Sequence, residues 1–331
     1  MSNIAPETRR LPLPSGPALG LIGVMVVFLT LIGLKQELGS FLSLGNLNVL
    51  VHEGTIPAIV ALGMLLVIIT GGIDLSVGAV VALVTVVTMR VYTRLYPGLG
   101  VEQASLLAGA CGVLVGGTCG LANGVLITRL KLPPFVVTLG MMSIARGSAI
   151  WLAERTLLAF PVDARPEWVE TFALSRLTNP GFLSLVALAI LTAILLWATR
   201  FGRHLYAVGS NEATARLCGV NVARTRTIAY TLAGLFTGWA GVLLFAHGDS
   251  GNPSAGEGLE LTVIAAVVIG GASLNGGKGT VAGALIGVLV LGLLANGVSL
   301  FNVPVEVRYI LEGGIILLNA ALSRWERANA R

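Results

Sequence analysis

The stretch Ala104–Thr128 reads ASLLAGACGVLVGGTCGLANGVLIT, and it decides what kind of fold the chain can adopt. It carries no charge and is long enough for a helix to cross a hydrocarbon layer, which takes ~20 apolar residues. Ala108, Gly112, Gly116, Gly120 and Gly124 recur every four residues. On a helix they share one face that is almost bare of side chains. Such a face lets a neighbouring backbone approach closely, the small-xxx-small mode of membrane packing. Gly234/Gly238 and Gly283/Gly287 repeat the spacing. Two uses are open: packing helices within one subunit, or letting helices slide during transport.

The whole chain matches this stretch. Of 331 residues, 55% are hydrophobic and 43 more are glycine, while only 11% are charged. A soluble surface needs roughly 25% charged residues, and disordered chains are poor in apolar residues. The class is therefore an integral membrane protein, all-α, with short loops. The net charge of +5 orients the chain across a bilayer and does not point to nucleic acid. Cys111, Cys119 and Cys218 fit no disulfide or metal spacing, and His52, His204 and His247 lie far apart, so no metal site is expected.

Ten apolar segments are expected, at about 18–34, 50–70, 75–93, 104–128, 135–153, 181–199, 227–246, 260–273, 279–300 and 308–323. The eighth is short for a full crossing and is a candidate broken or re-entrant segment. With the N-terminus in the cytoplasm, inside segments hold Arg9, Arg10, Arg129, Lys131, Arg200, Arg203, Arg216, Arg224, Arg226, Lys278, Arg324, Arg327 and Arg331. Outside segments hold only Lys35, Arg90, Arg94, Arg155, Arg165, Arg176 and Arg308. This asymmetry fits the positive-inside rule, so both termini are expected in the cytoplasm: a tail over 1–17 and another over 324–331. The outside stretch Glu154–Pro180 is a candidate for a short helix lying against the membrane surface.

Asp74 sits in Thr70-Gly71-Gly72-Ile73-Asp74-Leu75-Ser76, between two apolar runs. An acid at membrane depth is costly and reads as functional by default. The glycine pair also implies a helix break, after which Asp74 and Ser76 are placed to cap the next helix. Arg146 and Glu312 are further ionisable residues within apolar segments and are candidates to pair with each other or with Asp74. Gly71-Gly72-x-x-Leu75 resembles Gly270-Gly271-x-x-Leu274, as an internal duplication would. The run Gly270–Thr280 only superficially resembles a phosphate loop. That loop needs glycine five residues before its Gly-Lys pair and Ser or Thr after the lysine; here Ala272 and Gly279 stand there. Nucleotide binding by this chain is not expected.

The inside loop 200–226 is the most informative. Asn211 can cap a short helix from about Glu212 to Leu217, with Glu212 complementing its dipole. Gly219 can end it. The element is either a docking site for a soluble partner or an ordinary basic loop.

Together these motifs resemble the ribose/xylose/arabinose-type permeases of bacterial ABC importers. They are Gly71-Gly72-Ile73-Asp74-Leu75-Ser76-Val77-Gly78, Asn123-Gly124, Pro134 to Gly140 with Thr138, Arg146-Gly147, Gly209-Ser210-Asn211-Glu212-Ala213 with Gly219-Val220, and Ile269 to Thr280. The resemblance runs from about residue 50 to 320. It implies a single permease domain over 18–323 in the bacterial inner membrane, with no catalytic residue and no cofactor of its own. ATP would be used by a separate ATPase docked on the coupling loop at Gly209, Asn211, Glu212, Ala213, Ala215 and Gly219. Thr214 departs from the family's loop, where a second alanine is usual, and Gly219 comes one place late. A periplasmic binding protein would deliver a pentose-like monosaccharide, and a second permease copy, identical or similar, would complete the pathway. Glycines and polar groups near Asn252–Gly258 are pathway candidates by position. Alternatives are a related permease for branched amino acids, nucleosides or a signalling sugar, and an ion-coupled transporter using Asp74 and Glu312.

Overall fold

The computed structural model describes residues 38–41, 43–161, 164–173, 179–300, 310 and 313–314. The first and last expected segments, both tails and Glu312 lie outside them. What is described is nearly all helix: α1 (Leu44–Ile69), α2 (Val77–Leu99), α3 (Val101–Arg129), α4 (Pro134–Leu152), α5 (Glu167–Ala173), α6 (Pro180–Ala198), α7 (Arg200–Ser210), α8 (Glu212–Leu217), α9 (Val222–Gly248), α10 (Leu259–Ile269) and α11 (Val281–Leu300). Seven of these, α1–α4, α6, α9 and α11, are long and apolar enough to cross a membrane.

α1 runs through the centre. It is apolar all round, and every residue from Ala58 to Ile69 is buried, as expected of a helix with no polar face. α9, α11, α10 and α6 surround it. A two-way amide pair, Asn46 with Asn296 at 2.9 and 3.0 Å, ties α1 to α11.

The glycine face of α3 packs against α9. A methyl group on Gly116 would meet the Gly234 carbonyl and the Gly238 backbone at 2.5–2.7 Å, and one on Gly124 would meet the Thr227 Cα at 2.7 Å. Gly120 is pressed against Tyr230 O and Gly112 faces Thr88. Gly283 and Gly287 play the same part against Gly270 and Ala266 of the α10 region. All of these glycines therefore pack helices within one subunit.

α4 and α6 are only thinly covered. Phe135, Val136, Leu139, Ile144 and Trp151 of α4, and Leu183, Ile190, Leu191, Ile194 and Trp197 of α6, are exposed. An apolar surface of this extent suits lipid or another subunit and not water.

The eighth expected segment, 260–273, is helical only over Leu259–Ile269. At 1.5 Å per residue it spans about half of a ~30 Å hydrocarbon core. It ends as α1 ends. Gly71 (φ 77°) and Gly271 (φ 94°) both adopt the left-handed conformation. Gly71 N bonds Ile68 O and Gly72 N bonds Val67 O, while Gly271 N bonds Val268 O and Ala272 N bonds Val267 O. This is one helix-ending motif used twice, so the two Gly-Gly sequences share a local structure.

The two ends of the bundle differ. At one end the 153–179 connection meets the chain after α9 through a two-residue pairing, Leu158 with Gly251 and Ala159 with Ser250. An Arg165–Asp249 ion pair of 2.7 Å reinforces it. The short helix expected in this connection is α5. It packs on protein, with Trp168 donating to Ser105 Oγ at 2.8 Å. The opposite end holds α7, α8 and the turn 270–280.

Candidate functional site

At that opposite end the loop 200–226 is mostly helical. Thr199 opens α7 by accepting from Gly202 N at 3.1 Å. Asn211 closes α7 and opens α8, its side chain accepting from Thr214 N at 2.9 Å. Gly219 (φ 79°) terminates α8, with Gly219 N on Arg216 O and Val220 N on Ala215 O. Asn221 then caps α9, accepting from Arg224 N at 2.9 Å. The short helix, its cap and its stop stand where the sequence reading put them. α9 begins at Val222, earlier than the apolar segment at 227.

Ala215 is the inward side of α8, packed with Val208 and Val222. Ala213 and Leu217 face outward, and Leu217 is 88% exposed. Glu212 holds α8 in place. It bonds Arg216 at 2.6 Å within the helix and Arg226 of α9 at 2.9 Å. The Arg216 hydrogen bond and both guanidinium charges hold the Glu212 carboxyl below its usual range, outweighing the opposing effect of partial burial.

A second cluster lies behind α8. Residues 70–76 join α1 to α2 without helix and are crossed by several elements. Arg226 Nη2 reaches Thr70 O at 3.5 Å. Ile73 O accepts from Tyr230 of α9 at 3.3 Å and from Thr138 of α4 at 3.4 Å. Gly72 leaves room for the Tyr230 ring. Asp74 is buried, and its Oδ1 accepts from Ser76 N at 2.9 Å and Ser76 Oγ at 2.6 Å. This is a local turn in which the carboxylate supports the chain two residues on. Ser76 Oγ in turn accepts from Asn123 of α3 at 3.1 Å. Asp74 thus supports the turn that leads into α2; neither it nor Ser76 caps that helix, because Ser76 makes no side-chain capping bond and Asp74 reaches only Ser76 itself.

Arg146 is placed differently from expectation. It does not pair with Asp74; its Nη1 donates to Pro253 O at 2.7 Å and Ala255 O at 3.0 Å. It fastens the 252–258 loop, which carries the pathway candidates, to α4. The two carbonyls satisfy this half-buried guanidinium without a second charge.

The structure therefore joins Gly71, Gly72, Asp74, Ser76, Asn123 and Thr138 in one cluster, and Gly209, Asn211, Glu212 and Gly219 in a neighbouring one. Gly112 and Gly116 lie farther along α3, and Arg146 lies toward the other end of α4. Sequence reasoning missed Tyr206, Arg226 and Tyr230, each of which meets partners 70 or more residues away or on a different helix. Among the described residues no group of His, Cys, Asp and Glu is arranged for a metal.

The profile of the family described as branched-chain amino acid transport system / permease component matches residues 47–320. The chain is 38% identical over 322 residues to the fructose import permease protein of Rhizobium meliloti, covering 95% of this chain and 87% of that one. It is 36% identical over 297 residues to the ribose import permease protein of Escherichia coli, covering 89% and 90%. It is 35% identical over 310 residues to the L-arabinose ABC transporter permease protein of Azospirillum brasilense, covering 93% and 89%. No solved structure matches the chain.

Proposed function

The chain belongs to the family of branched-chain amino acid transport system permease components, and from that premise we propose that it is the membrane-spanning subunit of an ATP-driven importer of a monosaccharide. The relatives named for ribose, arabinose and fructose support a monosaccharide over an amino acid or nucleoside, and a pentose such as ribose is the first substrate to test. The protein is a multi-pass inner-membrane permease.

The observation that carries the mechanism is α8: a capped helix beyond the spans, braced by Glu212 and Arg226, presenting Leu217 to solution. In this reading an ATPase subunit seats on α8 from the cytoplasm. A periplasmic binding protein delivers the sugar at the end that holds the 153–179 connection. A second permease copy, identical or similar, completes the pathway. The first and tenth apolar segments add two crossings, which with α10 gives ten segments and both tails in the cytoplasm. Residues 18–323 then form one translocation domain. The chain performs no covalent chemistry and holds no cofactor; ATP binds the partner.

Asp74 argues against ion coupling. Its Oδ1 is committed to Ser76 in a turn, whereas a coupling acid must face a water-filled path and exchange its ion.

The test is ATP hydrolysis by the chain co-reconstituted with its ATPase in lipid. Sugar-loaded binding protein should raise the hydrolysis rate severalfold above that with empty binding protein. An equal rate with loaded, empty and no binding protein would overturn the reading.

A further inference from the structure

Three stretches far apart in sequence meet at the inner end of α1. Ile69 O accepts from Gly277 N at 2.9 Å. Gly209 of α7 is pressed against that same Ile69 carbonyl and Gly277 N, so closely that no side chain fits at 209. A methyl group on Gly276 would lie 2.8 Å from Gly71 N and 2.9 Å from Gly209 Cα, and one on Gly277 would lie 2.5 Å from Ser210 Oγ. Two side chains brace the joint. Tyr206 of α7 donates to Gly279 O at 2.8 Å, and partial burial pushes its phenol above its ordinary range. Arg226 links Glu212 of α8 to Thr70 O.

The joint sits between α8 and the non-helical piece 70–76. Beyond the joint, that piece bonds α9 through Tyr230, α4 through Thr138 and α3 through Ser76 and Asn123. Backbone packed directly on backbone leaves no rotamer slack, so a shift of α7–α8 must be passed to 69–71 or must break the joint. A packed joint of this kind moves between discrete arrangements rather than deforming gradually.

We propose that Gly209 is a positioning residue for transport: with Gly276 and Gly277 it clamps the coupling helix to Ile69–Gly71, and residues 70–76 carry the ATPase's movement to α3, α4 and α9. This rests on the importer reading above.

The experiment uses the whole complex of permease, ATPase and binding protein in proteoliposomes. Cys111, Cys119 and Cys218 are replaced by serine, and spin labels are placed at Leu157→Cys and Glu257→Cys, outside the joint. In the parent, ATP binding should shift the label distance. In Gly209→Ala the ATPase should still co-purify with the permease, the ATP-driven shift should vanish, and sugar uptake should fall about 10-fold. A Gly209→Ala complex that keeps the shift and takes up sugar within twofold of the parent overturns the proposal. Loss of the ATPase from the complex also overturns it, by assigning Gly209 to docking. If Gly209→Ala does not fold, Tyr206→Phe, which removes only the bond to Gly279, should lower uptake about threefold at unchanged assembly; unchanged uptake overturns the proposal. A parent that shows the ATP-driven shift but imports no sugar would sink the substrate reading and leave the joint standing.

Discussion

Glu212 connects a helix six residues long to one that crosses the membrane. Its pair with Arg216 is a local i,i+4 contact of about 0.3–0.5 kcal/mol; the reach to Arg226 gives α8 a fixed position. Because its folded carboxyl lies below the ordinary range, the contribution is complete above the unfolded value of about 4.3. It is lost only as pH falls through the lower folded value. ATPase association should therefore be flat from pH 6 to 8 in a co-sedimentation assay, while Glu212→Gln should weaken it at every pH in that window. Asp74 gives a second residue-scale prediction. Asp74→Asn keeps an acceptor oxygen for Ser76 and should retain ATP-driven uptake within a few-fold. Asp74→Ala strips two buried donors of their partner, at about 1–3 kcal/mol each, and should lower the yield of folded protein in a detergent-extraction assay. Inactive but well-folded Asp74→Asn would indicate an ion-coupling role instead. Asn211 was legible as a cap because it acts on an amide three residues on; for Asp74 the local role was legible but not its form, since it braces Ser76 in a turn and does not cap α2. Arg226 was not legible, since its partners Glu212 and Thr70 lie in other elements.

Among the elements, hydropathy marked the apolar spans and not where helices begin. α9 starts at Val222 because Arg224 and Arg226 ride on a helix that continues beyond the apolar layer, and α2 runs on to Leu99 for the same reason. The glycine face of α3 was legible from spacing alone. Its partner, the Gly234–Gly238 face of α9, was recognised as similar but could not be paired with it before the fold was known. Gly120→Val should force α3 and α9 apart. The overpacking cost is about 1–3 kcal/mol and should lower the thermal midpoint in detergent; an unchanged midpoint would mean the two helices separate freely. α8 is too short to persist by itself, so its cap matters more. Asn211→Ala should cost about 1 kcal/mol and reduce ATPase binding, whereas Asn211→Ser should restore most of it.

At the scale of the molecule, the structure separates two ends that carry different elements. One end carries α8, Leu217 and the glycine joint; the other carries the 153–179 connection, the Arg146-fastened loop and the Arg165–Asp249 pair. The charge asymmetry in the sequence assigns the first end to the cytoplasm, because loop arginines and lysines orient the chain during insertion. The joint at the first end was illegible, since Gly209, Gly277 and Ile69 meet only in the folded bundle. As proposed above, the chain passes a sugar in response to ATP used by a partner. The most direct measurement is uptake of labelled ribose into proteoliposomes holding the permease and its ATPase, with loaded binding protein outside. The account predicts accumulation only when ATP is enclosed with the ATPase side, and none from a proton or sodium gradient alone. Accumulation driven by an ion gradient without ATP would contradict it.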